Sequence, residues 1–117
     1  MIRIKRVYQE PSSRDGTRIL VDRIWPRGIS KEQARLAAWR KDLAPSSSLR
    51  KWFGHDPDKW EAFKERYRKE LSSAESREAL KEFAGLSRQK TITLLYGAAD
   101  EEHNQAVVLK EVLEKLA

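Results

Sequence analysis

The ten residues Ile19-Leu20-Val21-Asp22-Arg23-Ile24-Trp25-Pro26-Arg27-Gly28 limit the folds open to this chain more than any other stretch. Three consecutive large aliphatics are the pattern of a strand buried on both faces, as in a parallel sheet covered by helices. The run then breaks into charge, and Pro26 and Gly28 stop any regular element. Ligands of open α/β sheets bind in the crevice outside the carboxyl ends of the strands. A strand over 18–24 would therefore carry Asp22, Arg23, Trp25 and Arg27 to such a rim.

The remaining pattern fits around that strand. Residues 2–7 alternate apolar and basic, a period-2 strand with one wet face or edge. Turn chemistry fills 9–17, with Asp15-Gly16 as its strongest pair. The connection is too short for a crossover helix, and an irregular crossover of that length is conceivable, so the relative direction of the first two strands stays open. Ser30, with Gln33 in the capping-box position, predicts a short helix over 31–36. A short third strand is expected over 38–43, closed by Pro45. Ser46-Ser47-Ser48 opens a helix with Leu49, Trp52 and Phe53 on one side, and Gly54 ends it. Asp56-Pro57 starts the next helix, 57–71, where Trp60, Phe63, Tyr67 and Leu71 form one apolar stripe. A further helix is expected over 74–84, stopped by Gly85. A strand over 91–96 follows, then a last helix from about Asp100 to about 116. Strand, crossover helices, strand, helix is the pattern of α/β architecture. The expectation is a single domain over 1–117, a small, mostly parallel sheet with helices on both faces.

Composition narrows the function classes. No apolar run approaches the roughly 20 residues of a membrane span. The start, Met-Ile-Arg-Ile-Lys-Arg, has no apolar region of a signal peptide, so a cytoplasmic location is expected. Cysteine is absent, which excludes disulfides and thiolate metal ligands. Two histidines, His55 and His103, are too few for a site built on several imidazoles. The net charge of +6 is uneven: residues 1–60 carry 14 Lys/Arg against 7 Asp/Glu, and residues 61–117 carry 10 against 11. Much of the excess is arginine, which suits forked recognition of phosphate or carboxylate. A merely solvated basic surface is the plainer reading.

Two strand ends carry the candidate chemistry. One supplies Asp22, Arg23, Trp25 and Arg27; the other supplies Tyr96 and then Asp100-Glu101-Glu102-His103-Asn104-Gln105 at the start of the last helix. Parallel neighbouring strands would open both groups onto one rim. Helix N-termini attract anions, and the arginines would add donors. Against this, three acids at the same helix start repel an anion. In the structural alternative, Asp22, Asp100 and Glu102 pair with Arg23 and Arg27 and no ligand is involved. His103 beside Asp100 or Glu102 has the makings of a general base or acid. His55, in the Gly-His-Asp-Pro turn, fits a capping or packing role better. His103 with one or two acids is a weak metal signal, so no metal site is assigned. No Gly-rich phosphate loop, nucleophile elbow or dinucleotide fingerprint is present, and the cofactor, if there is one, stays unknown.

Three blocks resemble a known family: Val21-Asp22-Arg23-Ile24-Trp25-Pro26-Arg27-Gly28, Lys51-Trp52-Phe53-Gly54-His55-Asp56-Pro57, and Asp100-Glu101-Glu102-His103-Asn104-Gln105-Ala106. Together they are similar to the uncharacterised domain family numbered 488 (DUF488), in its YeaO-like branch. The resemblance implies a compact, Rossmann-like α/β domain in a bacterial or archaeal cytoplasm. It implies no activity.

Three functions compete at this level. The first is an enzyme or binder of an anionic small molecule, phosphate- or carboxylate-bearing and possibly nucleotide-like. Here Arg23 and Arg27 clamp the anion, Trp25 or Tyr96 packs on it, and His103 with Asp100 or Glu102 moves a proton, with Asn104 in the same block. The second is a nucleic-acid-binding module, through the basic first half with Trp25, Trp39 and Trp52 interleaved. The third is a protein-interaction domain without catalysis. The sequence fixes no oligomeric state.

Overall fold

The computed structural model describes all residues, 1–117. Four strands, β1 (Ile2–Arg6), β2 (Thr17–Leu20), β3 (Ala38–Trp39) and β4 (Ile92–Tyr96), form one parallel sheet in the order β1-β4-β2-β3. The last strand is thus inserted between the first two. Five helices surround the sheet: α1 (Lys31–Ala34), α2 (Ser47–Phe53), α3 (Trp60–Glu70), α4 (Ala74–Ser87) and α5 (Gln105–Leu116). This is a small Rossmann-like α/β domain.

Because β1 and β2 both pair in parallel with β4, they are parallel to each other. Their connection is the irregular crossover, tightened by a 3-10 turn at Ser13–Asp15. Gly16 closes it at φ 63°, where an added Cβ would lie 2.3 Å from the Thr91 carbonyl oxygen. Only glycine fits that position.

Strand pleating sorts the core into two unequal faces. Ile2, Ile19, Ile92, Leu94 and Tyr96 turn to one side and join a cluster of 20 buried residues that includes Phe63, Tyr67, Leu80, Phe83 and Leu109 of α3, α4 and α5. The other side holds only Val7, Leu20, Leu95 and Ala34 of α1 as buried apolar residues, flanked by Trp25 and Trp39. An ion cluster occupies the rest of that side. Asp15 is 1% exposed and contacts Lys5 at 3.1 Å and Arg18 at 2.5 Å. Arg18 also donates to the Ala34 carbonyl at 2.8 and 3.0 Å, and Thr93 Oγ1 donates to the Asp15 carbonyl at 2.6 Å.

Several element boundaries differ from expectation. The second strand stops at Leu20 rather than 24, although the Val21 N–H still reaches the Leu95 carbonyl. Beyond it, Trp39 Nε1 donates to the Asp22 carbonyl, so a side chain replaces the ladder. The third strand ends at Trp39: the Arg40 N–H still donates to the Leu20 carbonyl, but β2 itself stops at Leu20, and 41–43 is a 3-10 turn. The 57–71 helix begins as a 3-10 turn at Pro57–Lys59. α4 runs through Gly85 to Ser87, whose carbonyl accepts from the Met1 ammonium at 2.6 Å. The last helix begins at Gln105, not Asp100, which changes the electrostatics of the site.

Candidate functional site

The carboxyl ends of β2 and β4 open onto a cleft of about 380 Å³. The loop after β2 lines it with Asp22, Arg23, Trp25 and Arg27, α2 adds Arg50 and Phe53, and the following turn adds His55. From the β4 side come Gly97, His103, Asn104 and Gln105. The two strand-end blocks therefore share one hollow, as parallel pairing through β4 dictates.

Asp22 sits at the centre of the join between them. Gly97 N–H donates to its Oδ2 at 2.9 Å, and the Gln105 side-chain amide donates to its Oδ1. Glycine is required here for closeness rather than for φ: a Cβ on residue 97 would lie 2.8 Å from Asp22 Oδ2. Burial pushes the Asp22 carboxyl up to about 6. The Gly97 and Gln105 hydrogen bonds and the charges of His55 and Arg50 pull it back only in part.

The arginines do not follow the structural alternative. Asp22 makes no ion pair, and neither does Glu102. Arg23 gives its donors to backbone, Nε to the Pro45 carbonyl at 2.7 Å and Nη2 to the Ala44 carbonyl at 3.3 Å. The guanidinium groups of Arg27 and Arg50 have neither an acid nor a hydrogen-bond partner, and both residues are exposed. Trp25 is fixed as a wall: its Nε1 donates to the Ile29 carbonyl, and its ring meets Trp39 edge-on at 5.4 Å.

The block before α5 is a loop, and its polar groups serve one another. Asp100 Oδ1 accepts from the N–H of Glu102 and of His103, the geometry of an Asx turn. Its Oδ2 lies 2.8 Å from His103 Nδ1. The Glu102 N–H and the imidazole hold the Asp100 carboxyl below its ordinary value. With the carboxylate accepting, Nδ1 is the protonated nitrogen and Nε2 is left without a partner. The His103 ring also packs edge-on to Trp60 at 5.3 Å. Asn104, 2% exposed, is the true N-cap: its Oδ1 accepts from Ala106 and Val107 N–H, and its Nδ2 donates to the Asp100 carbonyl. The three acids therefore do not sit on the helix N-terminus, and the repulsion argued from that placement falls away.

Not every candidate reaches the cleft. Tyr96 is 2% exposed in the large core, where burial and the Glu101 charge push its phenol up. Asp100 does not line the cleft and reaches it through its contacts with His103 and Asn104, and Glu102 is exposed outside it. Conversely, Arg50 and His55 line the cleft and lay outside the expected set. His55 adopts φ 58°, directly after Gly54 at φ 55°. Two successive left-handed residues turn the chain back over the cleft, at a cost for the non-glycine one. The Phe53-Gly54-His55-Asp56 run was the available signal for this turn, while nothing local marks Arg50.

A parallel α/β domain with a polar cleft at its strand ends is the class that these features define. The chain belongs to the family described as the inactive DUF488-N3 subclade, whose model matches residues 1–117. It is 41% identical over 115 residues to the uncharacterised protein YeaO of Escherichia coli (strain K12), covering 98% of each chain. It is 38% identical over 112 residues to the uncharacterised protein Rv3073c of Mycobacterium tuberculosis (strain ATCC 25618 / H37Rv), covering 96% of this chain and 92% of the relative. No solved structure matches. No helix is long and apolar enough to cross a membrane.

Proposed function

We propose that this chain binds a small anionic molecule, bearing phosphate or carboxylate, in the cleft between the ends of β2 and β4. One observation carries the reading: two guanidinium groups, Arg27 and Arg50, line the cleft without protein partners, and Asp22 is the one acid there. Exposed arginines without a paired acid, facing a hollow with two imidazoles, favour negative charge in it. Arg23 contributes its charge and its remaining donors while its carbonyl contacts hold it in place. Trp25 and Tyr8 supply the flat walls. The description of the family as inactive favours binding over turnover, with His103 as a hydrogen-bonding group rather than a proton carrier.

Titration calorimetry with pyrophosphate tests this. Arg50→Ala and Arg27→Ala should each weaken binding at least tenfold, since a hydrogen bond to a charged group contributes about 1.5–3 kcal/mol. Lys64→Ala, which removes a lysine paired with Glu61 on α3, should leave binding unchanged. Equal effects of all three, or no heat at millimolar pyrophosphate, would overturn the reading. If single-stranded oligonucleotides alone bind, with a steep salt dependence, the basic half is a nucleic-acid surface instead.

A further inference from the structure

Asp22 is an unexpected residue in a cleft that favours anions. Its carboxyl group would repel the ligand, yet three arginines line the same hollow and none of them neutralises it. Neutral donors hold it instead: a backbone N–H from Gly97 and a side-chain amide from Gln105. A carboxylate has about four lone-pair sites, and two are used here. The unused ones belong to a half-buried group on the cleft lining, short of water and short of partners. The side chain is also fixed in place, because both oxygens are tied to the α5 side of the join and Gly97 leaves room for that approach. A fixed, partly desolvated acceptor beside free guanidinium groups is a two-part receptor: donors for a charged end and an acceptor for a hydrogen-bond donor.

Resting on the anion-cleft reading above, we propose that the ligand is a hydroxylated phosphate, its charged end held by Arg27 and Arg50 and a hydroxyl group donating to Asp22. Sugar phosphates and polyol phosphates have that chemistry; inorganic phosphate and plain alkyl phosphates do not. A site that hydrogen-bonds a hydroxyl discriminates against the analogue lacking it, because the buried acceptor is then left unpaired. The cost of placing a carboxylate near the anion is offset only for ligands that use it.

The experiment compares glycerol phosphate with propyl phosphate, which share a three-carbon chain and differ in hydroxyl groups, by calorimetry at pH 7.5. The wild-type chain should prefer glycerol phosphate by tenfold or more. Asp22→Asn should bind propyl phosphate as tightly as the wild-type chain or more tightly, having lost a like charge, and should lose most of the preference. Asn keeps an acceptor for the Gly97 N–H, and a rotated Gln105 amide can meet its NH₂, so the fold is expected to hold. Gly97→Ala is the second variant; its Cβ displaces the carboxylate and should also reduce the preference. Equal affinity of the wild-type chain for the two compounds overturns the proposal without any variant. So does a preference that survives Asp22→Asn. Binding of neither compound overturns it, and the pyrophosphate titration then decides whether the anion-cleft reading falls with it, whereas equal binding of both leaves that reading standing.

Discussion

On one side of the sheet Ile2, Ile19, Ile92 and Leu94 disappear beneath α3, α4 and α5; on the other, Lys5, Arg18 and Thr93 converge on a buried Asp15. The first side is held by apolar area, in a cluster of 20 buried residues. The second has four buried apolar residues and depends on polar groups finding partners. Apolar packing tolerates small rearrangements. A buried ion cluster does not, because losing one member strands the others. The cleft opens at the carboxyl ends of β2 and β4, where both sides finish, and it follows the second rule. Its acid, its amide and its backbone donors are positioned by specific hydrogen bonds, and two arginines are left over.

Phe63→Ala should have the largest effect on stability. Phe63 is buried, stacks on Phe53 at 4.3 Å and lies 5.7 Å from Trp60. Truncating such a ring costs about 3–5 kcal/mol, read as a loss of unfolding free energy in urea. A loss below about 1 kcal/mol would mean that the thick side is not the main source of stability.

Asp15→Ala should have the next largest effect, on the polar side of the sheet. It leaves Lys5 and the 5%-exposed Arg18 without their carboxylate, at a cost of about 3 kcal/mol in the same urea titration. Burial raises the Asp15 carboxyl, but hydrogen bonds from Ser12, Lys5 and Arg18 outweigh it and hold it below its ordinary value. Its contribution is therefore present above the unfolded value of 3.8 and lost as pH falls through the lower folded one. A variant as stable as wild type would show that the thin side does not depend on its ions.

Asp22 should show the opposite pH dependence, with a smaller effect. The folded chain keeps the Asp22 proton to about pH 6, against an ordinary value of 3.8. Between those values the folded state binds more protons, so this contribution is full below pH 3.8 and lost as pH rises through about 6. Allowing for partial solvation, it is on the order of 2 kcal/mol. Thermal melts of Asp22→Asn and wild type from pH 4 to 7.5 should show the variant gaining relative to wild type as pH rises. A constant difference would contradict the burial of this carboxyl.

The sequence made the strands and the thick core legible because period-2 and 3.6-residue patterns record burial locally. The stripe Trp60, Phe63, Tyr67 and Leu71 announces its helix, and Ile19-Leu20-Val21 announces a central strand. The start of α5 was not legible, since Asp100 and Asn104 are both good N-cap residues and no local rule chooses between them. In the fold Asp100 closes a turn on His103, Asn104 caps, and the block is tied to distant segments by Gln105 on Asp22 and by the His103 ring against Trp60. Arg50 was missed for a similar reason. Its place in the cleft comes from the packing of α2 on α3, where Phe53 stacks on Phe63, and no local pattern around residue 50 records that contact. The strand ends that build the cleft were legible, because a buried run that stops at charges and Pro-Gly punctuation marks a rim.

On the proposed reading it is Arg27 and Arg50, which have no partner within the protein, that meet the ligand. The direct measurement is a pyrophosphate titration followed by NMR of the arginine Nε–Hε resonances. The Arg27 and Arg50 resonances should shift together along one saturating curve, while the resonance of Arg18, locked onto Asp15 and Ala34, stays in place. Uniform small shifts across all the arginines, without saturation, would contradict it.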